Sequence, residues 1–217
     1  MGNGRMNIVS ILAVLLVASI SGCATGMPKS GMLKENDYKS MKANYGLDNV
    51  YVEPGAKFGD YRIVRLIFKE LFDKSNKTAN EISYKLNARL RQQLRDAGLF
   101  SSVIEEDNTK ESVPKPAEKE LILKIAITRI DMGSQMARFI VGFGAGSTNV
   151  AFEGEAVDSG TGKRLMYFSD SRYGYEYFGV QSSESLVDDD TKAIADNIVK
   201  VLTVSYTHLT LPTKRIV

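Results

Sequence analysis

The sequence predicts an α+β fold: a single, mostly antiparallel sheet of about five strands, covered by two amphipathic helices. Three observations lead there. Leu121, Leu123, Ile125 and Ile127 share one face of a strand by its period of two, and Thr148 to Asp158 alternates in the same way. Ile82, Leu86, Leu90 and Leu94 recur every four residues, as the apolar stripe of a helix does. Along the chain the order is strand, helix, strand, three strands, helix, without an internal repeat.

The first strand is read at Tyr61 to Phe68, rich in β-branched and aromatic residues. Thr78-Ala79-Asn80-Glu81 then has capping-box spacing, and Gly98 stands where a left-handed C-cap is wanted, so the helix between them runs about five turns. Its other face carries Lys85, Arg89, Arg91, Gln92 and Arg95, which reads as a solvated face. Leu99 to Ile104 gives a short strand, and Asp107 to Glu118, with two prolines, a loop. The strongest strand follows at Leu121 to Ile130. Thr148 to Asp158 puts Val150, Phe152 and Ala156 on one side and Asn149, Glu153 and Glu155 on the other. Ser159-Gly160-Thr161-Gly162-Lys163 is a hairpin turn, returning as a strand from Arg164 to about Phe178. The last helix spans Leu186 to Leu202, with Asp188, Asp189 and Asp190 beside its positive end.

The chain has 217 residues, 43% of them hydrophobic, with a formal charge of +2, one cysteine, one histidine and no tryptophan. That fits one domain plus something smaller. A lone cysteine excludes a disulfide scaffold and a two-cysteine metal site, and the near-neutral charge gives no footprint for nucleic acid. No motif for a cofactor or metal is present.

Residues 1 to 22 read as an export signal. Arg5 precedes the uncharged run Ile8 to Ile20, which is shorter than the roughly 20 apolar residues needed to span a bilayer. Ile20-Ser21-Gly22-Cys23 resembles the lipobox of bacterial lipoproteins. The resemblance implies that Cys23 becomes the first mature residue and carries the lipid, and Ala24, rather than Asp, resembles the default outer-membrane address. Residues 23 to 57 read as lipidated cysteine and tether, polar and broken by glycine and proline, with an ordered piece around Leu47 to Val52. A flexible chain of that length has a root-mean-square span of about 30 Å. The single domain is then 58 to 203. Val204 to Thr213 resembles a translated sequencing-library adapter, making 204 to 217 an artefact and removing His208, the sole imidazole. Without both ends the domain and tether carry 25 basic against 26 acidic residues, a net charge of −1.

Gly142-Phe143-Gly144-Ala145-Gly146-Ser147 tempts a phosphate-loop reading, but no Gly-Lys-Ser/Thr ending and no helix follows, so it reads as an inter-strand turn. Arg138 to Ser147, the alternating strand after it, and Val157-Asp158-Ser159-Gly160-Thr161-Gly162-Lys163 together resemble the core of the bacterial lipoprotein family known as domain of unknown function 4410. The resemblance implies an envelope lipoprotein with an α+β domain and brings no activity, substrate or catalytic residue.

Two constellations remain. Glu153 and Glu155 lie two apart on one strand, spaced for acid–base work or for an ordinary solvated face. Arg172, Tyr173, Tyr175 and Tyr177 form a candidate partner surface, since tyrosine and arginine are enriched at interaction hot spots and the three tyrosines share a strand face. The reading is a lipid-anchored, non-enzymatic binding or scaffolding protein of the bacterial envelope, with the membrane and an envelope protein as partners and neither nucleic acid nor nucleotide. The alternatives are a carboxylate-dependent cell-wall or envelope enzyme and a subunit of an envelope assembly.

Overall fold

A computed structural model describes residues 29–69, 71–72, 75–105, 118–134, 140, 146–174 and 181–207. Its elements are α1 (Glu35–Ser40), β1 (Lys42–Asn44), β2 (Leu47–Val52), a 3-10 turn (Phe58–Asp60), β3 (Ile63–Lys69), α2 (Lys77–Asp96), β4 (Ser102–Glu105), β5 (Glu120–Asp131), β6 (Thr148–Asp158), β7 (Arg164–Gly174) and α3 (Ser183–Thr207). The strands form one mixed sheet in the order β1-β2-β7-β6-β5-β3-β4. The α+β class stands. The sheet has seven strands rather than about five, and β3 pairs parallel with both β4 and β5. A parallel neighbour requires a crossover, and α2 supplies the one between β3 and β4.

The additional strands come from the segment read as a tether. Its ordered piece is β2, which pairs with β7, and the turn Tyr45-Gly46, with φ of 55° and 88°, folds β1 back on it. Leu33, Met41, Leu47 and Val50 in this stretch are buried. Short, glycine-broken strands carry no periodic signal, so only their pairing with β7 reveals them.

The main core lies between the sheet and the two long helices. Val64, Leu66, Leu121, Leu123, Ile125, Phe152, Met166 and Phe168 meet Leu86, Leu90 and Leu94 of α2 and Ile194, Ile198, Val201 and Leu202 of α3. Helix α2 is capped by Asn76, whose Oδ1 accepts from the Ala79 amide at 3.0 Å, so the cap sits two residues before the expected Thr78. Gly98 takes the left-handed φ of 63° that the helix end requires. Helix α3 begins earlier and ends later than its apolar stripe, with Ser182 Oγ accepting from the Ser185 amide at its start.

The hairpin turn is held by Asp158. Its Oδ1 accepts from the Thr161 amide (2.7 Å) and hydroxyl (2.8 Å), and its Oδ2 accepts from Tyr61 (2.6 Å). Asp-x-x-Thr is therefore an Asx-type clamp. Gly154 has a packing reason: a Cβ there would come within 2.3 Å of Phe168 Cζ and 2.8 Å of Lys124 O.

Candidate functional site

Period-two alternation sends the polar half of β6 and β7 to the face opposite the long helices. Cross-strand register groups Glu153 with Ser169, and Glu155 with Lys124 and Tyr167. This face is not left to water. The segment Lys29–Met41, here called the strap, lies over it, with Leu33 and Met41 packed on Tyr167 and with Met32, Tyr38 and Tyr51 beside them.

Glu153 is completely buried. Its carboxylate accepts from the Ser30 amide at 3.0 Å, the Ser30 hydroxyl and the Tyr38 phenol, all strap donors. Burial, and then the carboxylate it donates to, push the Tyr38 phenol well above its ordinary pKa. Beside this contact Arg164 binds Asp37 with two hydrogen bonds of 2.7 Å, a bidentate fork that holds the Asp37 carboxyl below its usual range. The Arg164 guanidinium also lies 4.5 Å from the Tyr167 ring centroid, and Tyr167 stacks on Tyr51 at 4.8 Å. Glu155 pairs with Lys124 at 2.9 Å. The two candidate acids are therefore neighbours, as their spacing requires, but both are occupied by internal partners.

A second polar cluster lies on the helix-facing side, at the β6–β7 end next to α3. Arg172 Nε and Nη2 reach Asp170 Oδ2 at 2.7 and 2.6 Å, and the guanidinium also donates to the Gly46 carbonyl. Asp48 and Asp170 are tied across β2 and β7, since Asp170 Oδ1 accepts from the Asp48 amide at 2.9 Å and Asp48 Oδ2 from the Ser171 amide at 3.1 Å. Asn197 of α3 donates to the same Gly46 carbonyl at 3.1 Å, docking the β1–β2 turn. Asp190 accepts weakly from Thr148 at 3.5 Å. Burial pushes both Asp170 and Asp190 up to about 6, opposed by Arg172. The helix-dipole expectation for Asp188, Asp189 and Asp190 fails, because α3 begins at Ser183 rather than Leu186 and carries them past its first turn. The triple aspartate in fact divides: Asp188 binds Arg89 of α2 at 2.5 Å, and Asp190 turns under the sheet.

Of the candidate partner surface, Arg172 and Tyr173 are described and fall on opposite faces, as consecutive strand residues must. Arg172 is held against Asp170, and Tyr173 is 47% exposed. Tyr175 and Tyr177 lie outside the described residues, as do Cys23, Gly142 to Ala145 and His208. Gly146, at the end of the glycine run, is described: its carbonyl accepts from the Ser134 amide at 2.9 Å and joins the ends of β5 and β6. The basic face of α2 is largely paired, Arg89 with Asp188, Arg91 with Glu105 and Lys85 with Glu81. Among the described residues no cluster of acids, histidines or cysteines suits a metal ion, and no helix is long and apolar enough to cross a membrane.

The family model described as Domain of unknown function (DUF4410) matches residues 36–177. The chain belongs to this family. The DUF4410 region thus opens inside α1 and takes in all seven strands, so the second half of the strap, from Asn36, is part of the family's domain and Ser30 precedes it. No curated protein matches the chain significantly. Among solved structures, a PelC dodecamer from Paraburkholderia phytofirmans matches at 13% identity over 68% of this chain and 94% of that one, with a TM-score of 0.41. The protein XCC0632 from Xanthomonas campestris, of the DUF330 family, matches at 8% over 73% and 93%, with a TM-score of 0.44. A minor lipoprotein from Acinetobacter baumannii matches at 10% over 69% and 94%, with a TM-score of 0.30.

Proposed function

We propose that this DUF4410 protein is a lipid-anchored component of the bacterial envelope, exported by residues 1 to 22 and acylated on Cys23, with its domain facing the periplasm from the outer membrane. The observation that carries the reading is the sole cysteine standing directly after Ile20-Ser21-Gly22 and an uncharged apolar run. Two or more acyl chains, each contributing about 0.8 kcal/mol per buried CH₂, hold such a protein stably. The domain acts by binding or scaffolding rather than by catalysis. Support for that half comes from Glu153 and Glu155, the two carboxylates a hydrolytic alternative would use, which are taken up by the strap and by Lys124. Tyr173 is the exposed aromatic from which a contact with an envelope protein would start.

Metabolic labelling with a fatty-acid probe tests the anchor. Wild type takes up the label and Cys23→Ala does not; equal labelling of the two refutes the reading. Crosslinking in intact cells tests the binding role, a discrete partner lost in Tyr173→Ser being the expected result.

A further inference from the structure

Resting on that lipid-anchored reading, we propose that the strap-covered face of the sheet lies against the membrane, with Lys34 and Lys39 meeting anionic headgroups and the long helices turned away. The first argument is length. Ser30 is fixed on Glu153, and only six residues, seven Cα-to-Cα steps, separate it from Cys23. At no more than about 3.6 Å per residue the acylated cysteine stays within about 25 Å of that carboxylate. A chain tethered through residue 57 could turn freely; one fixed at residue 30 emerges from a single face.

The second argument is charge. Most acids around the strap have a cationic partner within the protein: Asp37 has Arg164, Glu155 has Lys124 and Glu53 has Lys163, while the buried Glu153 is held by the neutral donors of Ser30 and Tyr38. Lys29 offsets Glu35. Lys34 and Lys39 are exposed, and among the described residues no salt bridge engages either. Each lysine beside an anionic bilayer favours that orientation by about fivefold. Acyl chain and basic residues thus act from the same short segment, the two-signal arrangement that stabilises membrane attachment.

The test uses the acylated full chain in vesicles of phosphatidylethanolamine and phosphatidylglycerol, with quencher-bearing lipid headgroups. Because acylation consumes Cys23, an introduced cysteine is the only free thiol for a fluorophore. Asn36→Cys on α1 and Gln92→Cys on α2 are both exposed positions, and the exposed Glu35→Cys is a second strap position should the first fold poorly. The expected result is several-fold stronger quenching at the strap than at residue 92, reduced when Lys34→Glu and Lys39→Glu are combined. Equal quenching at the two faces, or stronger quenching at residue 92, overturns the orientation. An unchanged ratio in the charge-reversed protein overturns the headgroup contact. Failure of the wild type to acquire acyl label or to float with vesicles overturns the anchor itself, and so is distinguished from the other failures.

Discussion

Replacing Asp190 by asparagine should stabilise the protein at neutral pH, although it removes a charge facing Arg172. Asp190 is buried on α3 with one long hydrogen bond, from Thr148 at 3.5 Å, and burial lifts its pKa from 3.8 to about 6. Its folded value exceeds its unfolded value, so between about pH 4 and 6 the native state binds more protons. Stability contributed by this group therefore falls as pH rises through that window, and above about 6 the whole cost of the buried charge is present. Two pKa units correspond to about 3 kcal/mol, an upper figure because Arg172 loses a counter-charge in the variant. Asparagine fills the same volume and still accepts from Thr148. Urea unfolding of wild type and Asp190→Asn at pH 7.5 and pH 5 measures the difference. The variant should gain about 1–3 kcal/mol at pH 7.5 and clearly less at pH 5. Asp170, also raised to about 6 by burial, titrates in the same window but is common to both proteins, while Asp37 and Asp158 have lowered values and lose their contributions only below about 3.8. A variant equally or less stable at pH 7.5, with the same pH slope as wild type, would refute the reasoning.

Gly154→Val should destabilise by about 1–3 kcal/mol through overpacking against Phe168 and the Lys124 carbonyl, read as a lower urea midpoint. Arg164→Ala leaves Asp37 buried without its fork and should cost about 3 kcal/mol, with proteolytic cutting of the strap rising before global unfolding. Asp158→Ala removes three acceptor contacts from the β6–β7 turn and should cost about 1–3 kcal/mol, with hydrogen exchange increasing first at Thr161 and Gly162. Truncation after Thr203, just before the stretch that resembles an adapter, removes the half-buried Val204 and the last turn of α3 and should cost no more than about 1 kcal/mol. Sequencing the locus by a transposase-free method should not recover the codons for 204 to 217, and finding them there would reject the adapter reading.

The elements that were legible in the sequence were those whose own residues carry a period. β5 and β6 sort their side chains by twos, α2 and the middle of α3 by fours, and the structure buries Leu121, Leu123, Ile125 and Ile127 together as that sorting requires. β1 and β2 are three and six residues long, and the parallel pairing of β3 with β5 joins residues more than fifty positions apart. Neither leaves a local pattern. Asp190 illustrates the same limit at a single residue, since three consecutive aspartates in the second turn of α3 look alike until the sheet is placed over one of them.

The polar face of β6 and β7 carries the more general lesson. Alternation of apolar and polar residues suggests a sheet with one dry and one wet side, and on that basis Glu153 reads as solvated. Yet this face also bears Tyr167, whose hydroxyl meets Ser40 of the strap, and β2 adds Tyr51 beside it. Such side chains bury well only when each polar tip finds a partner. The lysine-, serine- and tyrosine-bearing segment that could supply those partners was already visible between Cys23 and β1, where its glycine and proline content made it look like a tether. A polar strand face rich in carboxylate and tyrosine, together with a donor-rich segment before the first strand, is better read as a face and its cover. On that reading Glu153 is the peg that holds the cover to the sheet, through the Ser30 amide and hydroxyl and the Tyr38 phenol.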